Sequence, residues 1–196
     1  KKGQKVKTKF LSWPKHVKSP QVAVTEIIGN PGELNVEMNS ILAEFGFPSR
    51  FPKRVLNEVD LIKEPNYAIE SKKRKDFRTK TTFTIDPHDA KDFDDAISIC
   101  FLASGNVEIG VHIADVGHYV KPESFLDKEA LLRGNSVYLV DRVIPMLPER
   151  LSNELCSLRP NEDKLTFSAV FELDSNCAVL SSWFGKTIIH SDHRFT

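Results

Sequence analysis

The sequence predicts an α+β fold in two unequal parts, the second built on a substantially antiparallel sheet. Three observations carry this. Helical spacing is concentrated near the start of the chain, strand-like runs dominate from Thr81 onward, and short polar turns join two pairs of those runs as hairpins, a connection open only to antiparallel strands.

In chain order, Val22–Ile28 alternates well enough for a strand, and Asn30-Pro31-Gly32 follows as a turn. Leu34, Met38, Ile41, Leu42 and Phe45 fall at helical spacing, with Gly46 and Pro48 as the stop. Val55, Leu56 and Val59 predict a second short helix, after which Pro65 and a basic run read as a connector. Thr82–Ile85, Ala96–Leu102 and Val107–Ile113 read as strands, the last two joined through Ser104-Gly105-Asn106. Phe125–Arg133 is helical and ends at Gly134. Ser136–Val140 is an expected strand and Pro148–Leu158 an expected helix. Leu165–Leu173 and Ala178–Ile189 form a closing hairpin around Asp174-Ser175-Asn176.

Composition excludes several classes. The 196 residues are 40% apolar and 28% charged, an ordinary globular balance. No apolar run approaches the roughly 20 residues that span a bilayer, and no signal-peptide pattern opens the chain, so no membrane partner is expected. Cys100, Cys156 and Cys177 are odd in number and lack a CxxC, which reads as reduced thiols in a cytoplasmic protein. The chain opens on Lys1 without an initiator Met, so a piece of something longer is expected.

Net charge is zero, from 27 basic and 27 acidic side chains, but the distribution is uneven. Residues 1–25 hold seven lysines and no acid, with Phe10 and Trp13 interleaved. Such a stretch either tracks a phosphate backbone and stacks bases, or is a solvated strand face whose aromatics pack inward. A second basic run covers Lys72, Lys73, Arg74, Lys75, Arg78 and Lys80. Directly after it, Asp86, Asp89, Asp92, Asp94 and Asp95 fall within ten residues.

That acidic knot is the strongest chemical signal. Two carboxylates about 4 Å apart repel by roughly 4 kcal/mol at an effective dielectric near 20, so several converging on one point must protonate, spread apart or bind a cation. Oxygen donors without cysteine favour Mg²⁺ or Mn²⁺ over zinc. Neither EF-hand register works: Asp86 as position 1 places Ala90 and Lys91 at positions 5 and 6, and Asp92 places Ala96 and Ile97 there. The spacing suits metal-assisted phosphoryl chemistry, with Ile85, Phe93 and Ala96 as apolar anchors; a solvated acidic loop is the alternative. Gly185-Lys186-Thr187 lacks the first glycine of a P-loop, since Leu180 stands there. His112 and His118 read as hydrogen-bonding core residues, and His190 and His193 lack metal partners.

Thr84-Ile85-Asp86 with Asp89-Ala90-Lys91-Asp92-Phe93-Asp94-Asp95-Ala96 resembles the signature of the ribonuclease II/ribonuclease R superfamily. Further blocks continue it in order: Ile113–Val116, His118–Val120, Arg133–Tyr138, Val143–Pro148, Leu151–Asn153 with Leu155–Leu158, and Ser191–Thr196. The resemblance is to the ribonuclease R branch. It implies the end of a cold-shock (OB-fold) domain over 1–30, a helical connector over 31–73, and an incomplete N-terminal part of the RNB catalytic domain over 74–196. It implies a processive, Mg²⁺-dependent (or Mn²⁺-dependent) 3′→5′ exoribonuclease releasing nucleoside 5′-monophosphates, monomeric and cytoplasmic. Its partner would be single-stranded RNA, or structured RNA with a 3′ overhang. Asp86, Asp92, Asp94 and Asp95 match the metal-binding aspartates, with Asp92 and Asp94 catalytic and Asp94 most tied to cleavage; Tyr138 matches the aromatic at the RNA 3′ end. Pro87-His88 departs from the Gly-Glu common at that point. The segment alone is expected to be inactive or nearly so, and the rival from another class is a non-catalytic RNA-binding module of the same fold.

Overall fold

Alternating β-branched and lysine residues give the first hairpin, β1 (Lys5–Ser12) and β2 (Gln21–Gly29), paired antiparallel with several register shifts. The structure is a computed structural model describing residues 2–48 and 50–196. Phe10 and Trp13 are each 60% exposed, so these aromatics do not pack inward. Gly29 closes the hairpin at φ +144°, and a Cβ there would lie 2.4 Å from Val36 Cγ2, so only glycine lets the strand run this close to the next helix. That helix is α1 (Leu34–Glu44), which buries Val36 and Leu42 and is tied to β1 by the Lys5–Glu37 ion pair.

Next come α2 (Lys53–Asp60), which buries Val55 and Val59 one helical turn apart, and α3 (Tyr67–Glu70), capped by the Asn66 side chain. The strands that follow are β3 (Lys75–Asp76), β4 (Thr81–Ile85), β5 (Asp95–Phe101) and β6 (Val107–Ala114). Two helices, α4 (Val116–Tyr119) and α5 (Phe125–Arg133), precede the small β7 (Val137–Tyr138) and β8 (Val143–Ile144) ribbon. A π-helical turn, Arg150–Leu155, leads into β9 (Asp163–Leu173), β10 (Val179–His190) and β11 (His193–Phe195).

One seven-stranded sheet organises this second part in the order β11-β4-β5-β6-β9-β10-β3, antiparallel except at its two edges, where β11 joins β4 and β3 joins β10 in parallel. The fold is therefore mixed α+β with mostly antiparallel pairing. Two of the expected elements need correction. The strand expected over Ser136–Val140 shortens to two residues, because the chain turns back on itself through the bond from Leu139 N–H to the Arg142 carbonyl. The helix expected over Pro148–Leu158 is a widened turn with Cys156 N–H bonded to the Leu151 carbonyl, which leaves Leu151, Leu155 and Cys156 all buried. Those residues pack with Val55, Val59, Phe77, Leu126, Leu158, Val170 and Ile189 into one core, each buried aliphatic stabilising the fold by about 1.5–3 kcal/mol. Among the described residues no helix is long and apolar enough to cross a membrane.

A polar row runs through this sheet. His112, fully buried, lies 2.6 Å by Nδ1 from Ser168 Oγ and 2.8 Å by Nε2 from Ser98 Oγ, and Ser168 Oγ continues to Thr187 Oγ1. Gly110 leaves the room: a Cβ there would sit 2.6 Å from His112 Nε2. Burial pushes the imidazole down to about 4 from its ordinary 6.5, against a smaller upward pull from Glu108. The folded state thus resists a proton that the unfolded state takes up readily. This contribution is fully present above pH 6.5 and is lost as pH falls towards 4, up to about 3 kcal/mol. Urea unfolding across that window should show a slope about one proton steeper for the wild type than for His112→Gln; equal slopes would contradict the assignment.

Candidate active site

The acidic knot is the connection between β4 and β5. Its closing half is held by buried Phe93, whose N–H donates to Ser157 Oγ (3.1 Å) and whose carbonyl accepts from Leu158 N–H (2.8 Å). Ser157 Oγ in turn donates to the Lys91 carbonyl at 2.8 Å, and the Asp94 carbonyl accepts from Ala114 N–H at 3.0 Å. Phe93 and Ala96, 5% and 1% exposed, are the expected anchors. Ile85 is not: strand alternation turns Thr84 inward and leaves Ile85 63% exposed.

Asp86, Asp92 and Asp94 line one cleft of about 650 Å³, together with Asp89, Lys91, Tyr138, Arg142, Glu149, Ser152 and Asn153. Asp95, the first residue of β5, is outside that lining but electrostatically coupled to it. Although Asp94 faces the open cleft, burial by surrounding protein raises its carboxyl above the usual range, and the charges of Asp92, Asp95 and Asp86 raise it further. β7 brings Tyr138 in from the opposite side, its hydroxyl donating to Asp92 Oδ2 at 3.1 Å. The ring is 67% exposed, free to present a face to a ligand in the cleft. Desolvation, then Asp92 and Asp94, raise the phenol.

By donor type the cleft fits a hard divalent cation. Its candidate ligands are carboxylate oxygens with no cysteine or histidine among the lining residues, and Asp86 Oδ2 is buried without a hydrogen-bond partner. Among the described residues no group of three or more His, Cys, Asp or Glu stands close enough to hold an ion, so a cation would have to draw the carboxylates together. The sequence alone does not mark Lys91, Arg142, Glu149, Ser152 or Asn153 as site residues. Lys91 and the Ser152-Asn153 pair lie within motif blocks, whereas Arg142 carries no local signal; its Nη1 donates to Asn35 Oδ1 at 2.7 Å, linking the cleft rim to α1.

Residues 74–196 match the RNB domain family and residues 1–52 the cold shock domain family. Ribonuclease R 1 of Lactococcus lactis is 47% identical over 176 residues, covering 90% of this chain and 22% of its own length. Ribonuclease R of Thermotoga maritima is 43% identical over 196 residues, covering 99% of this chain and 28% of its own. The chain thus spans under a third of the length of these curated relatives. The solved structure of Mycoplasma genitalium RNase R in complex with double-stranded RNA superimposes with a TM-score of 0.90 at 27% identity, over 98% of this chain and 34% of that one.

Proposed function

This chain belongs to the RNB domain family, and from that premise we propose that the protein bearing it is an exoribonuclease working from the RNA 3′ end, Mg²⁺-dependent and processive, with nucleoside 5′-monophosphates as product. The observation that supports it best is the convergence of Asp86, Asp92 and Asp94 on one cleft with Tyr138 hydrogen-bonded across it to Asp92. Pure backbone binding has no use for that much negative charge, which repels phosphate.

Asp86, Asp92, Asp94 and Asp95 would hold the metal. When bound, such an ion lowers the pKa of water and neutralises charge on the phosphodiester. The remaining work belongs to this chain's own groups. Tyr138 offers a face on which any base can stack, worth about 1–3 kcal/mol per base and indifferent to sequence. Lys91 supplies positive charge for phosphates entering an otherwise acidic site, and Arg142, already paired with Asp141 through two hydrogen bonds, adds a guanidinium at the rim. Ser157, by fixing the Lys91 carbonyl and the Phe93 amide, holds Asp92 between two anchored neighbours.

RNA labelled at its 5′ end and incubated with the full-length protein and Mg²⁺ should pass from full length to a short 5′-labelled end product with few intermediates, releasing unlabelled nucleoside 5′-monophosphates, and EDTA should stop it. Internal cuts would point to an endonuclease. An intact substrate bound by the protein would point to a non-catalytic module.

A further inference from the structure

We propose that Arg194 is a positioning residue that clamps the acidic loop from the edge strand β11 and so sets the metal affinity of the site; this rests on the metal reading of the cleft given above. The short strand β11 runs parallel to β4 in the register His193↔Phe83, Arg194↔Thr84, Phe195↔Ile85. It is docked firmly. Asp192 Oδ2 accepts from Thr82 N–H at 2.8 Å, Asp86 N–H donates to the Phe195 carbonyl at 3.0 Å, and the Phe195 and Phe83 rings meet edge to face at 5.4 Å.

From that platform the Arg194 guanidinium reaches both ends of the loop. Its Nη2 donates to the Pro87 carbonyl (2.7 Å) and the His88 carbonyl (2.8 Å), immediately after Asp86. Its Cζ lies 4.8 Å from the centroid of the Phe93 ring, between Asp92 and Asp94. The three cleft-lining metal candidates therefore each sit one residue from a point this side chain holds. Arg194 Nε is buried without a partner, as is Asp86 Oδ2. A planar guanidinium can bond two carbonyls and lie against a ring together; lysine, with a compact ammonium, cannot reproduce both. The clamp fixes the backbone on either side of the aspartates, so less of the loop is left to order when an ion draws the carboxylates together, and supporting residues of this kind alter metal affinity by about 10–100-fold.

Mn²⁺ binding to the protein, read by electron paramagnetic resonance without RNA, tests this. Arg194→Ala should bind Mn²⁺ at least about tenfold more weakly than wild type, with Arg194→Lys between the two. Hydrogen exchange without metal should show faster amide exchange over residues 88–93 in Arg194→Ala, while β6 and β9 stay protected. Val170→Ala, a core change remote in sequence from the loop, should lower stability yet leave Mn²⁺ affinity unchanged. Wild-type Mn²⁺ affinity in Arg194→Ala overturns the clamp, as does an equal loss in Val170→Ala. Should Arg194→Ala not fold, wild-type affinity in Arg194→Lys overturns it. If the wild type itself binds no Mn²⁺, the metal reading of the cleft falls first and the clamp with it.

Discussion

Asp94→Asn in the full-length protein should lower the rate of RNA hydrolysis by about 10³-fold or more while leaving RNA affinity within a few-fold of wild type. Asparagine keeps the shape of the side chain and removes its charge. Burial raises the Asp94 carboxyl and the charges of Asp92, Asp95 and Asp86 raise it further, so Asp94 lies within the field of all three. Neutralising it relieves that repulsion and should not cost stability. Nor should it weaken RNA binding, since the groups with the right chemistry for RNA in this cleft are the Tyr138 ring and the Lys91 and Arg142 cations. What it removes is one negative donor for a divalent ion beside three other carboxylates. Single-turnover rates on 5′-labelled RNA give the first quantity, and RNA binding in EDTA the second. Turnover within tenfold of wild type would remove Asp94 from the chemistry; equal loss of binding and turnover would make it a structural residue.

The parts of this molecule legible in the sequence are those whose signal is local. α5 lies between Ser124, whose hydroxyl accepts from Asp127 N–H, and Gly134 at φ +77°, and both boundaries follow from capping chemistry. β5, β6, β9 and β10 are long enough for their alternation to declare itself. β3, β8 and β11 are two or three residues long, and nothing near them in the sequence says that Lys75 pairs with Thr187 or that Arg194 lies beside Thr84. The site divides the same way. Five aspartates within ten residues are visible at once because one short stretch of chain carries them all. Tyr138 enters only through family resemblance, Arg142 not at all, because their proximity to the knot is made by the β7–β8 ribbon folding over it. Ile85 misled for a related reason. An apolar residue at a strand end reads as an anchor, but its partner on β11 lies on the same outward face, where Phe195 is also half exposed.

Arg74→Met is expected to cost about 3–5 kcal/mol of folding stability, the penalty of leaving a buried charge without its partner. Arg74 and Asp115 are 7% and 8% exposed. Arg74 Nη2 lies 2.7 Å from Asp115 Oδ2, close enough for a strong ion pair although no aligned hydrogen bond reaches that oxygen. The same guanidinium donates to Glu70 Oε2 at 2.9 Å and to the Thr166 carbonyl at 3.4 Å, so it joins α3, β9 and the start of α4. Burial alone would push the Asp115 carboxyl up, but Arg74, assisted by Lys186 at 3.4 Å, outweighs it and holds the carboxyl below its usual value. That stability is present above the ordinary aspartate range, near pH 4, and is lost as pH falls through the lower folded value. In Arg74→Met the half-exposed Lys186 and the neighbouring His118 are left to face Asp115, and burial regains control of the carboxyl. The deficit should therefore be largest at neutral pH and shrink in acid, where Asp115 takes up a proton. Arg74→Met combined with Asp115→Asn should recover a substantial part of it at pH 7, because the stranded charge is gone; the arginine's carbonyl and Glu70 contacts remain lost. Urea unfolding at pH 7 and pH 4 distinguishes the outcomes. A loss below about 1 kcal/mol would place the pair among ordinary surface ion pairs, and simple additivity in the double variant would show that Arg74 acts through its Glu70 and Thr166 contacts and not through Asp115.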